Sequence, residues 1–336
     1  MPALNNFNDW LPIIFMAVMG LSILAYVVLD GYDLGVGMLL HRATPEQKDV
    51  MIGSIGPFWD ANETWLVLGI GILLVAFPLA HGVILGALYL PVTLMLIGLI
   101  LRGVAFDFRA KAHDDHKAMW NQLFYGGSLL ASLSQGYMLG AWIVGFEQSW
   151  LTVGFALLIA PCVAAAYTLM GATWLVMKTE AALQQRAVYW ARRALWLTAL
   201  GVALVSVATP LVSQRIFDKW FSLPNLVLLA PIPIASLLLF VLTDRILRAL
   251  PLPDDKLSWV PFSACVGIFI LSFFGLAYSM FPFLVIEKMT IWQAASAPEP
   301  LKIILVGTLI VLPLIIAYTV FSYRVFQGKA QHLSYE

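Results

Sequence analysis

Charge is what this chain most conspicuously lacks. Of its 336 residues only 11% are Asp, Glu, Lys or Arg, while 61% are hydrophobic. A soluble domain usually carries about 25% charge, so a soluble fold is excluded. Lys plus Arg and Asp plus Glu balance at 19 each, with no basic run, which removes nucleic acid as a partner. The two cysteines, Cys162 and Cys265, lie within apolar runs and have no metal-ligand spacing, so they read as buried thiols. Gly-rich phosphate loops, Ser/His/Asp arrangements and paired cysteines are missing too. Histidine is absent from the apolar interior: His41, His81, His113, His116 and His332 fall in loops, segment ends or the tail. A haem in a helical bundle needs axial His or Met at membrane depth. The 12 methionines sit where flexible core filling accounts for them. No metal or haem site is therefore expected in this chain. Met1 to Trp10 contains no Lys or Arg, so a cleavable signal peptide is not expected and the first apolar segment should be retained.

What is abundant is apolar length. Mean hydropathy is +0.88, and stretches of about 20 apolar residues recur throughout. Nine spanning helices are predicted, at about 11–40, 50–77, 83–104, 122–146, 151–177, 195–215, 224–247, 258–286 and 301–326. This is an all-α integral membrane protein, a single polytopic domain over 1–336. Alternate connections and the tail hold Arg42, Lys48, Arg102, Arg109, Lys111, Lys117, Lys178, Arg186, Arg192, Arg193, Arg245, Arg248, Lys256, Arg324 and Lys329. The other side holds only Arg215, Lys219, Lys288 and Lys302. That bias predicts the N-terminus outside and the C-terminus inside, consistent with an odd helix count. Trp and Tyr cluster near segment ends, as interfacial belts do.

Against this background a few polar residues stand out. Gly56-Pro57-Phe58-Trp59-Asp60-Ala61-Asn62-Glu63-Thr64-Trp65 puts two acids, an amide and two indoles inside the second segment. The first segment ends in Leu29-Asp30-Gly31-Tyr32-Asp33-Leu34-Gly35-Val36-Gly37. Each acidic pair is three apart and shares a helix face. Measured from His41, Asp33 lies roughly 12 Å and Asp30 roughly 16 Å along the helix. From Asp49, Asp60 lies roughly 16 Å and Glu63 roughly 21 Å along the second. Four acids at similar depth cannot all be charged in a dry interior. Some must be protonated, paired with a base, or reached by water. Arg102 and Asp107, at the inner end of the third segment, supply a partner and a mouth. Ionisable groups at this depth point to a proton or cation path from the cytoplasm. The competing account is a set of caps and interhelical bonds that only fix packing.

These motifs resemble subunit II of the cytochrome bd family of quinol oxidases, over essentially the whole chain. The resemblance rests on Asp30 to Leu39, Ile52 to Leu66 and Arg102 to Lys111, with Met280-Phe281-Pro282-Phe283 and Met289-Thr290-Ile291-Trp292 in support. The compact length is similar to the shorter, cyanide-insensitive branch. Gln293 stands where some relatives have an acid. The resemblance implies two four-helix bundles (about 11–146 and 151–286) plus a ninth helix at about 301–326. It also implies a bacterial inner-membrane location and a subunit I carrying haems b and d, with small accessory subunits in some members. Quinol oxidation would there be coupled to reduction of O2 to water. In this subunit the resemblance assigns Asp60, with Asp30, Asp33, Arg102 and Asp107, to a proton route that Glu63 joins by its position. Trp59 and Trp65, with Gly31, Gly35 and Gly56, are expected near the path or at the subunit contact. Some members bind a structural quinone in this subunit, which the resemblance ties to no residue here. Two other classes compete: a proton-coupled secondary transporter, for which the symmetry mate of the Gly56-Pro57 break is missing, and a purely structural scaffold.

Overall fold

The computed structural model describes residues 4–330. His332 lies outside them. The helices are α1 (Phe7–Leu39), α2 (Pro45–Ile55), α3 (Trp59–Ala76), α4 (Pro78–Ala87), α5 (Tyr89–Lys111), α6 (Asp114–Ile143), α7 (Trp150–Lys178), α8 (Ala181–Val212), α9 (Gln214–Phe221), α10 (Asn225–Leu229), α11 (Pro231–Ala249), α12 (Val260–Met280), α13 (Ile291–Ala294) and α14 (Pro298–Val325). Strands β1 (Phe283–Val285) and β2 (Met289–Thr290) form one antiparallel hairpin.

Local chemistry explains the boundaries. Thr44 caps α2 by a reciprocal box with Gln47, with Pro45 in the first turn. The Glu46 carboxyl beside it is held below the usual range by its own backbone N–H and the Thr44 hydroxyl. Ser149 and Thr152 cap α7 in the same way. Prolines open α4, α11 and α14, where a missing N–H costs nothing.

Among the described residues, eight helical stretches are long and apolar enough to cross a membrane, and the chain is a multi-pass membrane protein. The segment expected at 122–146 falls in α6, which is not among the eight. At 30 residues α6 has the length, but Ser128, Ser132, Ser134 and Gln135 lower its hydropathy. It packs between α5 and α7. Three other expectations change in detail. The 50–77 segment is broken at Gly56–Phe58 into α2 and α3, and the 83–104 segment begins after a break at Leu88. The eighth stops at Met280 instead of 286, because Pro282 cannot continue a helix and the chain turns into the hairpin.

The described residues sort into two compact units: 4–30, 57–88 and 280–327 in the first, and 31–56, 89–279 and 328–330 in the second. In the first, Trp292 donates to the Asp9 carbonyl (3.0 Å) and Ser296 N–H to the Ala76 carbonyl (2.8 Å), tying the segment after the hairpin to α1 and α3.

Helices of the second unit meet through small residues, as expected where lipid removes any hydrophobic drive between helices. A Cβ on Gly98 would stand 2.7 Å from the Gly127 carbonyl, and one on Gly136 2.6 Å from Ala160 Cα. These contacts join α5 to α6 and α6 to α7, and the second crosses the bundle boundary expected between 146 and 151. At the end of α7, Lys329 donates to the carbonyls of Met177 (3.0 Å) and Thr179 (2.9 Å) and pairs with Asp255. Lys329→Ala should loosen this clasp, seen as faster amide exchange at Thr179 and Gln184 and a stability loss of about 1 kcal/mol. An unchanged exchange pattern would mean that the clasp holds nothing.

Candidate functional site

In the first unit, α3 begins at Trp59 and divides its residues between two faces. Asn62 and Trp65 are buried, followed at helical spacing by Gly69, Ile72, Leu73 and Ala76. Asp60 and Thr64 are exposed, as are Val67, Leu74 and Val75 further along. Trp59 and Glu63 are half-buried. One carboxylate therefore stands, with the Thr64 hydroxyl, at the start of an apolar outer face.

The stretch is fixed in place by Asn62. Its Nδ2 donates to the Leu29 carbonyl of α1 (3.2 Å), and its Oδ1 accepts from the Tyr323 hydroxyl of α14 (3.3 Å). Tyr323 also stacks on Phe58, with centroids 4.5 Å apart. Leu29 precedes Asp30, which has no exposed surface. The bond thus brings the turn carrying Asp60 and Glu63 beside the turn carrying Asp30. Tyr323→Phe should cost about 1 kcal/mol of stability through the lost bond while the stack survives. A loss several times larger would mean that Tyr323 supports more than Asn62.

In the second unit Asp33 and Arg102 are also fully buried, whereas Asp107 is exposed. Arg102 and Arg109 are seven residues apart on α5 and share its buried face. Arg109 Nη2 pairs with Asp49 (2.6 Å) and its Nε donates to Asn121 Oδ1 (2.6 Å), joining α5 to α2 and α6. This pair escaped the sequence reading, which counted Arg109 among the inner charges and within the Arg102 to Lys111 stretch without giving it a partner. The seven-residue spacing from Arg102 was the available signal.

Gly31 and Gly35 of α1 stand against α7 of the same chain. A Cβ on Gly31 would lie 2.8 Å from the Tyr167 ring, and one on Gly35 would collide with the Tyr167 carbonyl oxygen and stand 2.8 Å from Gly171 N. Both positions therefore serve close packing between α1 and α7. Gly56 ends α2 at the break, and Trp65 is buried inside the first unit.

Among the described residues no three His, Cys, Asp or Glu side chains come together as a metal-binding group. His41 lies at the end of α1 with Nδ1 against the Met38 carbonyl (2.9 Å), His81 in the first turn of α4, His113 at the start of α6 and His116 in its first turn.

Residues 11–326 match the family model described as cytochrome bd terminal oxidase subunit II. The chain is 26% identical to cytochrome bd ubiquinol oxidase subunit 2 of Bacillus subtilis (strain 168), over 91% of this chain and 93% of that protein. It is 27% identical to cytochrome bd-I ubiquinol oxidase subunit 2 of Escherichia coli (strain K12), over 94% of each. Its fold is similar to a chain of the bd oxidase from Geobacillus thermodenitrificans, with a TM-score of 0.75 at 19% identity, covering 94% of this chain and 98% of that one. With the match extending from the first apolar helix to the last, the chain belongs to the cytochrome bd terminal oxidase subunit II family.

Proposed function

We propose that this chain is the haem-free second subunit of a quinol:O2 oxidoreductase in the bacterial inner membrane, and that it supplies protons from the cytoplasmic side. Subunit I holds haems b and d and carries out quinol oxidation and O2 reduction. The present chain supports it and delivers protons through Asp30, Asp33, Asp60, Glu63, Arg102 and Asp107. It crosses the bilayer nine times, α6 included, as two four-helix bundles and a ninth helix, with the N-terminus outside and the C-terminus inside. Small accessory subunits and a structural quinone are compatible with this reading.

The observation that carries the proposal is the bond from Asn62 to the Leu29 carbonyl beside a fully buried Asp30. An acid buried in a membrane helix costs several kcal/mol unless it is neutral, paired or hydrated, and here an amide clips a second acidic turn beside it. Asp60 then stands on the outer face of the clipped helix, where a partner rather than lipid suits a carboxylate. In this scheme the acids hold and pass protons, and Arg102 offsets charge within the second unit, where Asp33 is also buried. The haems supply the redox chemistry in the other subunit.

The test is oxidase turnover of the assembled complex carrying Asp60→Asn, set beside its haem spectrum. Lost turnover with an intact spectrum supports proton delivery. Loss of haem in step with activity would mean a scaffold, and a stable, haem-free chain that transports a solute alone would replace the oxidase reading altogether.

A further inference from the structure

Helix α8 carries a cationic face that nothing above uses. Its 32 residues rise roughly 48 Å, against roughly 30 Å of hydrocarbon. About 20 residues cover that thickness, so counting back from Val212 puts the bilayer boundary near Arg192 and Arg193. From Ala181 to Val212 the helix has no Asp or Glu. Arg192 and Arg193 are both exposed, and neither pairs with an acid among the described residues.

The surroundings of these two arginines are specific. The Arg193 guanidinium carbon lies over the Tyr189 ring, 4.4 Å from its centroid, and the side chain remains exposed. Tyr189, Arg192, Arg193 and Trp196 follow the spacing that places them on one side of a helix. Trp196 is 64% exposed, and Leu197, Leu200, Leu204, Val207 and Leu211 continue the exposed apolar stripe away from the arginines. Arg186, one turn earlier, is committed elsewhere: it donates to Gln47 Oε1 (2.7 Å) and to the Arg42 carbonyl. The two free cations therefore sit where an acyl stripe ends.

We infer that Tyr189, Arg192, Arg193 and Trp196 form a binding site for the phosphate headgroup of an anionic phospholipid, in the leaflet at the Ala181 end of α8. The two guanidiniums take the phosphate oxygens through charge-assisted bonds. Trp196 lies at the ester level, and the leucine stripe runs beside an acyl chain. A zwitterionic lipid offers the same phosphate, but its own ammonium offsets the charge that the arginines read.

The experiment compares the assembled complex and its Arg192→Gln/Arg193→Gln form in nanodiscs of mixed anionic and zwitterionic phospholipid, with retained lipid counted by native mass spectrometry. The native complex should keep an anionic lipid through delipidation, and the double variant should lose that preference by roughly 10-fold or more. Tyr189→Phe should retain it and Tyr189→Ala should weaken it. Equal retention of anionic lipid by native and double-variant complexes overturns the site. Protection by inorganic phosphate equal to that by lipid would make it a free-anion site instead. Loss of a small protein subunit rather than a lipid from the double variant would show that a protein covers this face, again overturning the proposal. An unchanged haem spectrum in the variants keeps misfolding out of the comparison.

Discussion

Replacing Asp60 by Asn is expected to lower quinol-driven O2 consumption by roughly 100-fold, the scale on which a positioned proton-transfer group contributes. Haem content and subunit assembly should stay near native levels. The structure makes this substitution unusually clean. Asp60 projects from the exposed side of α3, while Asn62 and Trp65 hold the helix in place from the opposite side. Amide and carboxylic acid have nearly the same shape, so the exchange removes a titratable proton without touching the packed face. Asp30→Asn is a poorer probe, since Asp30 is wholly enclosed and exchanging a carboxyl oxygen for an NH2 there changes buried hydrogen bonding along with charge. Measured by oxygen electrode beside reduced-minus-oxidised haem spectra, native turnover in Asp60→Asn would remove this residue from the route.

Gly35→Ala is expected to have the largest effect on folding. The added methyl would run into the backbone of α7 at Tyr167, and a backbone carbonyl cannot rotate away as a side chain can. Overpacking of this kind costs about 3 kcal/mol or occasionally more, enough to deplete the membrane of assembled complex. Gly154→Ala and Gly307→Ala are matched controls, because nothing lies within 4 Å of a Cβ built at either position. Exchange of Gly for Ala in an open helix should be neutral or stabilising by up to about 1 kcal/mol. Thermal midpoints and complex yield from the three variants decide the matter. Equal yields would mean that α1 and α7 are less tightly coupled than their geometry implies.

Membrane character was legible in the sequence because lipid imposes a single demand, a run of about 20 apolar residues. Where a helix is shielded by its neighbours that demand relaxes. In α6, four polar residues between Ser128 and Gln135 pull the hydropathy below that of its neighbours, yet its length still marked it as a segment. Breaks were legible in part. Pro57 announced the first, and Pro282 held the information needed to end the eighth helix at Met280, but the apolar run on its far side masked it. The acids at 30, 33, 60 and 63 were visible because charge in an apolar run is rare. Asn62 was visible too, but its service as a bridge to Leu29 and Tyr323 depends on α14, some 260 residues away, and no local pattern announces that. Gly31 and Gly35 stood out as small residues in an apolar run, while the identity of the helix packed on them, α7, needed the fold. Gln293 offers a smaller lesson: its side chain accepts the Thr290 N–H (2.9 Å) and closes the cap of α13, a structural employment for a position to which the sequence assigned no role.

The interruption at Gly56–Phe58 has an electrostatic consequence. It makes Trp59 the start of a new helix and puts Asp60 in its first turn. Peptide dipoles align along a helix, and their sum places about half a positive charge at its beginning, worth roughly 0.3–1 kcal/mol to an adjacent anion. The apolar stretch that is long enough to cross a membrane also opens at Trp59. A transient negative charge at Asp60 therefore has a counterweight built from the backbone itself, with no extra cation.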